Sequence, residues 1–414
     1  MTHCSPPCKR TNATRLAVIL VATLIALPAA AQDIAVRAAT LYTAPGQSIT
    51  DGVVLISDGI IQAVGPVGDI DIPADVVLVE AAVATPGLID ARSTVGLSGA
   101  MNQPHDQDQL ERSAAIQPEL RAIDAYNPRE RLVGWLREHG ITTVHAGHGP
   151  GEAISGQTLL AKTAGETVIE AVFEPAVALS ATLGHAATTH DRSSPGNRSK
   201  VVALLREQLY AAEDYREKLD GDTPPGRDLA MEALVAVLDG DLPLIIEAHL
   251  HSDIMTALRL ADEFGFRLIL AGASDAYLLI DEIARAGVPV IIHPTMQRSR
   301  GNSDSQHFSF TTAAKLADAG IEVALQSGYE SYVPKTRVVL FEAAMTLPYG
   351  ATFDQALEMV TMAPARILGI DDRVGSLEVG KHGDVALFDG DPFEYTTQVI
   401  GTIIEGRRVS ERRR

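Results

Sequence analysis

Apolar positions along the chain fall into two textures. From residue 34 to 83, short β-rich runs (AVRAATLY, GVVLISDG, IIQAVG, DVVLVEA) are broken by Gly, Pro and Asp, and the same texture returns after Arg373 in GSLEVG, DVALFDGDP and QVIGTIIEGRRV. Short strands at this spacing predict a small all-β unit built from both chain ends. Between them, continuous apolar runs alternate with helical periods, which marks strands buried on both faces and wrapped by helices. The runs predict strands at 86–91, 142–147, 158–163, 243–249, 267–272, 289–294 and 322–327, and an eighth around 175–183 carries a weaker pattern. PRERLVGWLREHG, DIMTALRLADEFG, DAYLLIDEIARAG and FDQALEMVTMAPARILG read as helices. The count and alternation favour an α/β chain folded as a (β/α)₈ TIM-like barrel with a small β-sandwich domain built from the two ends. The expected boundaries are 1–31 for a leader, 32–85 and 366–414 for the two parts of the β domain, and 86–365 for the barrel.

The first 31 residues carry Lys9, Arg10 and Arg15, the twelve-residue apolar run Leu16–Leu27, and then Pro28-Ala29-Ala30-Ala31. That order is the order of a cleaved signal peptide, so the mature chain is expected to begin at Gln32 and to reside in the periplasm. The apolar run is short for a membrane span, and no other stretch is long enough, so no stable span is expected after cleavage. The chain's only two cysteines, Cys4 and Cys8, lie in the leader, which excludes a disulfide scaffold and a thiolate metal site in the mature protein.

The chain carries 34 basic and 53 acidic residues, and loss of three cationic residues with the leader takes the formal charge from −19 to −22. This balance excludes a nucleic-acid partner of the usual kind, which needs a basic face. The C-terminal Arg407-Arg408 and Arg412–Arg414 read as a solvated tail. The glycine-rich stretch 147–156 lacks the spacing of a phosphate cradle and reads as a tight barrel loop.

Several motifs together carry a resemblance: PGLIDA near residue 86, GITTV at 140–144, APARILGI at 363–370 and VGSLEVGKHGDVALFDGDP at 374–392. They resemble the metal-dependent amidohydrolase superfamily, within it the secreted imidazolonepropionase-like and prolidase-like branch. The resemblance implies the same barrel and split β domain. It also implies a metal pair held by a His-x-His after PGLIDA, a sixth-strand histidine, an eighth-strand aspartate and a bridging lysine. Here those positions hold Arg92 and Thr94, Gly272, Gly328 and Ser180, with Lys162 as an alternative for the lysine. A guanidinium has no lone pair to give a metal. Most inherited ligands are therefore replaced.

Histidines nevertheless gather at predicted strand ends, where the loops of a barrel assemble an active site. His145, His148, Glu247, His249 and His293 form a candidate set for one Zn²⁺ or similar divalent metal, which would lower the pKa of bound water. A metal-free pocket is the competing reading. Arg92, Lys162, His251, Asp275 and Tyr329 are candidate ligand-binding residues, while no residue is singled out as catalytic. Two functions stay open. One is hydrolysis of a C–N bond, amide or cyclic amide, in a non-peptide or small peptide-like substrate through an atypical mononuclear site. The other is a catalytically inactive paralogue that binds a small ligand or pairs with an intact amidohydrolase; a homo-oligomer fits either.

Overall fold

The computed structural model describes Met1 and residues 33–101, 103–188, 195–296, 304, 306–329 and 336–414. Residues from Ala31 onward form one compact unit. The expected leader beyond Met1 lies outside the described residues.

The chain opens with β1 (Ile34–Ala44), β2 (Gln47–Ser57), β3 (Ile60–Pro66) and β4 (Val77–Pro86). The β2–β3 hairpin turns on Asp58 and Gly59 at φ 50° and 81°, the Asp-Gly pair that suits a two-residue turn matched to strand twist. The last strands, β15 (Val385–Phe388), β16 (Val399–Ile404) and β17 (Arg407–Ser410), add to the same sheet, in the order β17-β16-β15-β4-β1-β2-β3. Both chain ends thus share one side unit, whose core includes Ile34, Val36, Ile56, Val385 and Ile403. The terminal arginines are mostly exposed, as a solvated tail would be, but some of them find partners. Arg412 and Arg414 pair with Glu138, and the Arg414 guanidinium lies 4.8 Å from the Trp135 ring centre. The helix before the second barrel strand offers a carboxylate and an aromatic face that the tail's composition could not reveal.

Between the two parts of this sheet run β5 (Leu88–Ser93), β6 (Ile141–Ala146), β7 (Ile154–Gln157), β8 (Leu159–Lys162), β9 (Val172–Glu174), β10 (Leu179–Thr182), β11 (Leu244–Ala248), β12 (Leu268–Gly272), β13 (Val290–Ile292) and β14 (Val323–Leu325). β5 and β6 pair in parallel, as do β10 through β14 in succession. A parallel bridge between Ser93 at the end of β5 and Gly328, three residues beyond β14, brings the first and last of these strands together. The weakly patterned stretch 175–183 supplies β10.

The third position departs from a regular repeat. There β7 and β8 form one bent run, broken at Thr158. β7 pairs antiparallel with β10, and β8 pairs antiparallel with β6. Because β8 runs against its neighbour, its C-terminal end points away from the mouth and towards the side sheet.

All four predicted helical stretches contain helix. His251–Phe264 stops at Gly265 and Ile280–Ala286 at Gly287, both glycines at positive φ, as helix C-caps prefer. The FDQALEMVTMAPARILG stretch divides into Phe353–Glu358 and Met362–Ile367, so that Pro364 sits in a first turn, where its missing N–H costs nothing. Helices without a sequence expectation include Arg198–Leu219, capped by the Asn197 side chain, and Leu229–Leu238, capped by Asp228. No helix among the described residues is long and apolar enough to cross a membrane.

Candidate functional site at the barrel mouth

Glu247 is the last residue but one of β11, His249 follows it by two, and His293 comes immediately after β13. Parallel pairing aligns these strand ends at one rim. One ligand atom from each of the three residues lies within 4.8 Å of the others. His249 Nε2 is 3.2 Å from Glu247 Oε1, and its Nδ1 is 2.8 Å from Ser274 Oγ. The His249 and His293 rings meet edge to face at 5.0 Å. Burial alone would push the Glu247 carboxyl up, but the His249 hydrogen bond and the charges of His249, Arg92 and His293 together hold it down at about 2. Burial, with His249 beside it, pushes His293 down to about 3. Near neutral pH the site therefore presents a carboxylate and an unprotonated imidazole, the forms a metal needs.

Arg92, on β5, is buried at the centre of this site. Its Nη2 donates to Ser180 Oγ at 2.8 Å, and its Nε stands 4.0 Å from Glu247 Oε2. The guanidinium thus reaches across the barrel to the position where the resemblance implied a lysine. Nη1 has no partner among the described residues, and neither has the buried Thr94 Oγ1. Arg92, Thr94, Glu247, His293, Gln326 and Tyr329 line a cavity with ≈ 20 Å³ of open space, about one water's worth.

The five-member metal set narrows to three. Both ring nitrogens of His145 are already engaged, Nδ1 with Ala91 O at 2.7 Å and Nε2 with Thr158 Oγ1 at 2.6 Å, at the point where the third strand breaks. His148 is buried, stands apart from the Glu247–His249–His293 group, and keeps an unpartnered Nδ1 among the described residues. Lys162 is removed from the mouth altogether. The reversal of β8 carries it to the side sheet, where it forms a buried ion pair with Asp384 at 2.6 Å. His251 and Asp275 contact each other instead of the group: Asp275 Oδ2 accepts from His251 N at 3.0 Å and faces His251 Nδ1 at 3.3 Å. The other Asp275 oxygen stands 3.5 Å from His307 Nδ1. Tyr329 does line the cavity, and its hydroxyl accepts from Gln109 Nε2 at 3.2 Å.

Two supporting residues escaped the sequence reading. Ser274 orients His249; its only signal is its place just beyond β12. Asp90, within PGLIDA, accepts from Ser327 N at 2.9 Å and so ties the first strand to the last. Burial raises its pKa to about 7 against the hydrogen bonds from Ser327 and Arg92.

Among the described residues the donors suit one divalent cation and not a pair. Two imidazoles and a carboxylate are the set common in catalytic zinc sites, and Ser274 supplies the outer contact that fixes a ligating ring. Around Arg92, Gly272 and Gly328 the described residues offer a second cation no donor set.

Residues 106–410 match the amidohydrolase family. The chain is similar to amidohydrolase tasK of Hapsidospora irregularis, with 23% identity over 391 residues, covering 86% of this chain but only 39% of that protein. An imidazolonepropionase from Solibacter usitatus is 25% identical over 377 residues, with 85% and 88% of the two chains covered. Among solved structures, an amidohydrolase from Thermotoga maritima superposes with a TM-score of 0.85 at 27% identity, covering 92% of this chain and all of that one. The family match spans well over half the chain and agrees with the barrel, the shared side sheet and the motifs: the protein belongs to the amidohydrolase family.

Proposed function

We propose that this chain hydrolyses a C–N bond, an amide or cyclic amide of a non-peptide or small peptide-like substrate, at a mononuclear site held by Glu247, His249 and His293. The observation that carries the reading is the convergence of those three donors within 4.8 Å at the mouth of an amidohydrolase barrel. A bound divalent ion would supply Lewis acidity and a more acidic water. The chain's own groups do the rest. Ser274 holds His249 by Nδ1 and leaves Nε2 facing Glu247, while His293 stays neutral. Arg92 fixes the orientation of Glu247 and places a permanent positive charge beside the reacting space.

Arg92 also favours a second reading. A guanidinium 4.0 Å from Glu247 already neutralises the carboxylate that a metal would use. A catalytically inactive paralogue that binds a small ligand, alone or paired with an intact amidohydrolase, would have no need of the metal. Export to the periplasm belongs to the proposal under both readings, supported by the pattern of residues 1–31. Metal analysis of protein purified without added metal separates the two. About one zinc or similar ion per chain, with hydrolysis abolished by chelation, upholds the hydrolase. A folded chain free of metal that turns over no amide upholds the binding paralogue.

A further inference from the structure

The barrel mouth holds a cation of its own, independent of any metal. Three faces of the Arg92 guanidinium can be traced. Nε is turned to Glu247, Nη2 donates to Ser180, and Nη1 donates to nothing among the described residues. Thr94, just past the end of the same strand, carries a second buried donor without an acceptor among the described residues. Both line the small cavity between the strand ends. A buried donor left unsatisfied is costly, more so when it is charged, so a persistent pair of them points to an acceptor that arrives from solution.

We propose that Arg92 and Thr94 form a metal-independent subsite for the carboxylate of a small ligand. Two donors, one charged and one neutral, match the two oxygens of a carboxylate. A single water has no charge to offer the guanidinium. Glu247 stands on the Nε side of the guanidinium at 4.0 Å and bonds His249 through Oε1, so neither of its oxygens occupies Nη1, which is left to the ligand. The subsite stands whether or not Glu247, His249 and His293 also carry an ion.

Acetate, with acetamide as its neutral isostere, tests this on the chelator-treated full chain at fixed ionic strength. Titration calorimetry and thermal melting should both show saturable binding of acetate and none of acetamide. Arg92→Gln should weaken acetate by roughly tenfold or more, the scale of a lost charge-assisted hydrogen bond. If that variant fails to fold, Thr94→Val decides, since it removes one donor at nearly constant volume and should weaken acetate several-fold. Equal binding of acetate and acetamide, acetate binding unchanged in the variant that folds, or no acetate binding at all overturns the subsite. Acetate that binds only after zinc is restored, and survives Arg92→Gln, also overturns it, while leaving the metal reading intact.

Discussion

The imidazole of His249 fills the space over Gly272: a Cβ at residue 272 would lie 2.7 Å from His249 Cε1. Gly272 also has φ +76°, a region that side-chain-bearing residues rarely occupy. The absence of a side chain on β12 and the inward placement of His249 are therefore one arrangement. Gly272→Ala should cost at least about 1 kcal/mol and displace His249, which thermal melting and metal analysis would register. Returning histidines to the first strand by Arg92→His with Thr94→His should not build a second metal site, because Gly272 and Gly328 still offer no donors. Two metal ions per chain in elemental analysis of that double variant would contradict the assignment.

His249→Ala should remove most bound metal. His185→Ala should leave it in place, since His185 is exposed and outside the three-donor group. Elemental analysis of the two variants, purified side by side, makes the comparison.

Lys162 and Asp384 form a buried ion pair between the barrel and the side sheet. Lys162→Ala leaves Asp384 buried with an uncompensated charge, at a cost of roughly 3–5 kcal/mol. Denaturant unfolding should show that loss, while ligand or metal binding per folded molecule should be unchanged. A variant of wild-type stability with impaired binding would return Lys162 to the mouth.

Acid should loosen the fold through His145. Burial, opposed by its bond to Ala91 O, depresses its pKa to about 4. The unfolded chain binds a proton here below about 6.5 and the folded chain does not. Stability is thus fully present above that value and falls as pH drops from about 6.5 towards 4, by on the order of 3 kcal/mol from this one group. His145→Gln should flatten that part of the stability profile measured by denaturant unfolding at successive pH values.

Mass spectrometry of exported protein should find a chain starting at or near Gln32. Retention of Cys4 would contradict the targeting assignment.

The strand positions and the pairing of the two chain ends were legible because buried strands are continuous apolar runs and because the motifs are local. The direction of β8 was not. LLAK reads the same whether its neighbours run with it or against it, since burial on both faces erases the pattern that distinguishes them. Lys162 was misplaced for that reason alone. Glu247, His249 and His293 were legible as donors at strand ends, and the resemblance marked Arg92 and Gly272 as departures. That His145 is already engaged depends on Ala91 and Thr158, and that Arg92 reaches Ser180 depends on a partner 88 residues away. Such contacts are set by packing and leave no trace in spacing.

The side sheet also imposes an order on assembly. β4 runs into β5 with only Gly87 between them, yet its outer edge is paired by β15, which begins at Val385. Until nearly the whole chain has been synthesised, β4 presents an unmatched row of backbone donors and acceptors to any extended segment nearby. Closing that edge joins segments separated by the entire barrel, a long-range contact of the kind that folds late. The final thirty residues therefore act as the closing seam of the molecule, and a ribosome-bound chain lacking them is the form most exposed to aggregation.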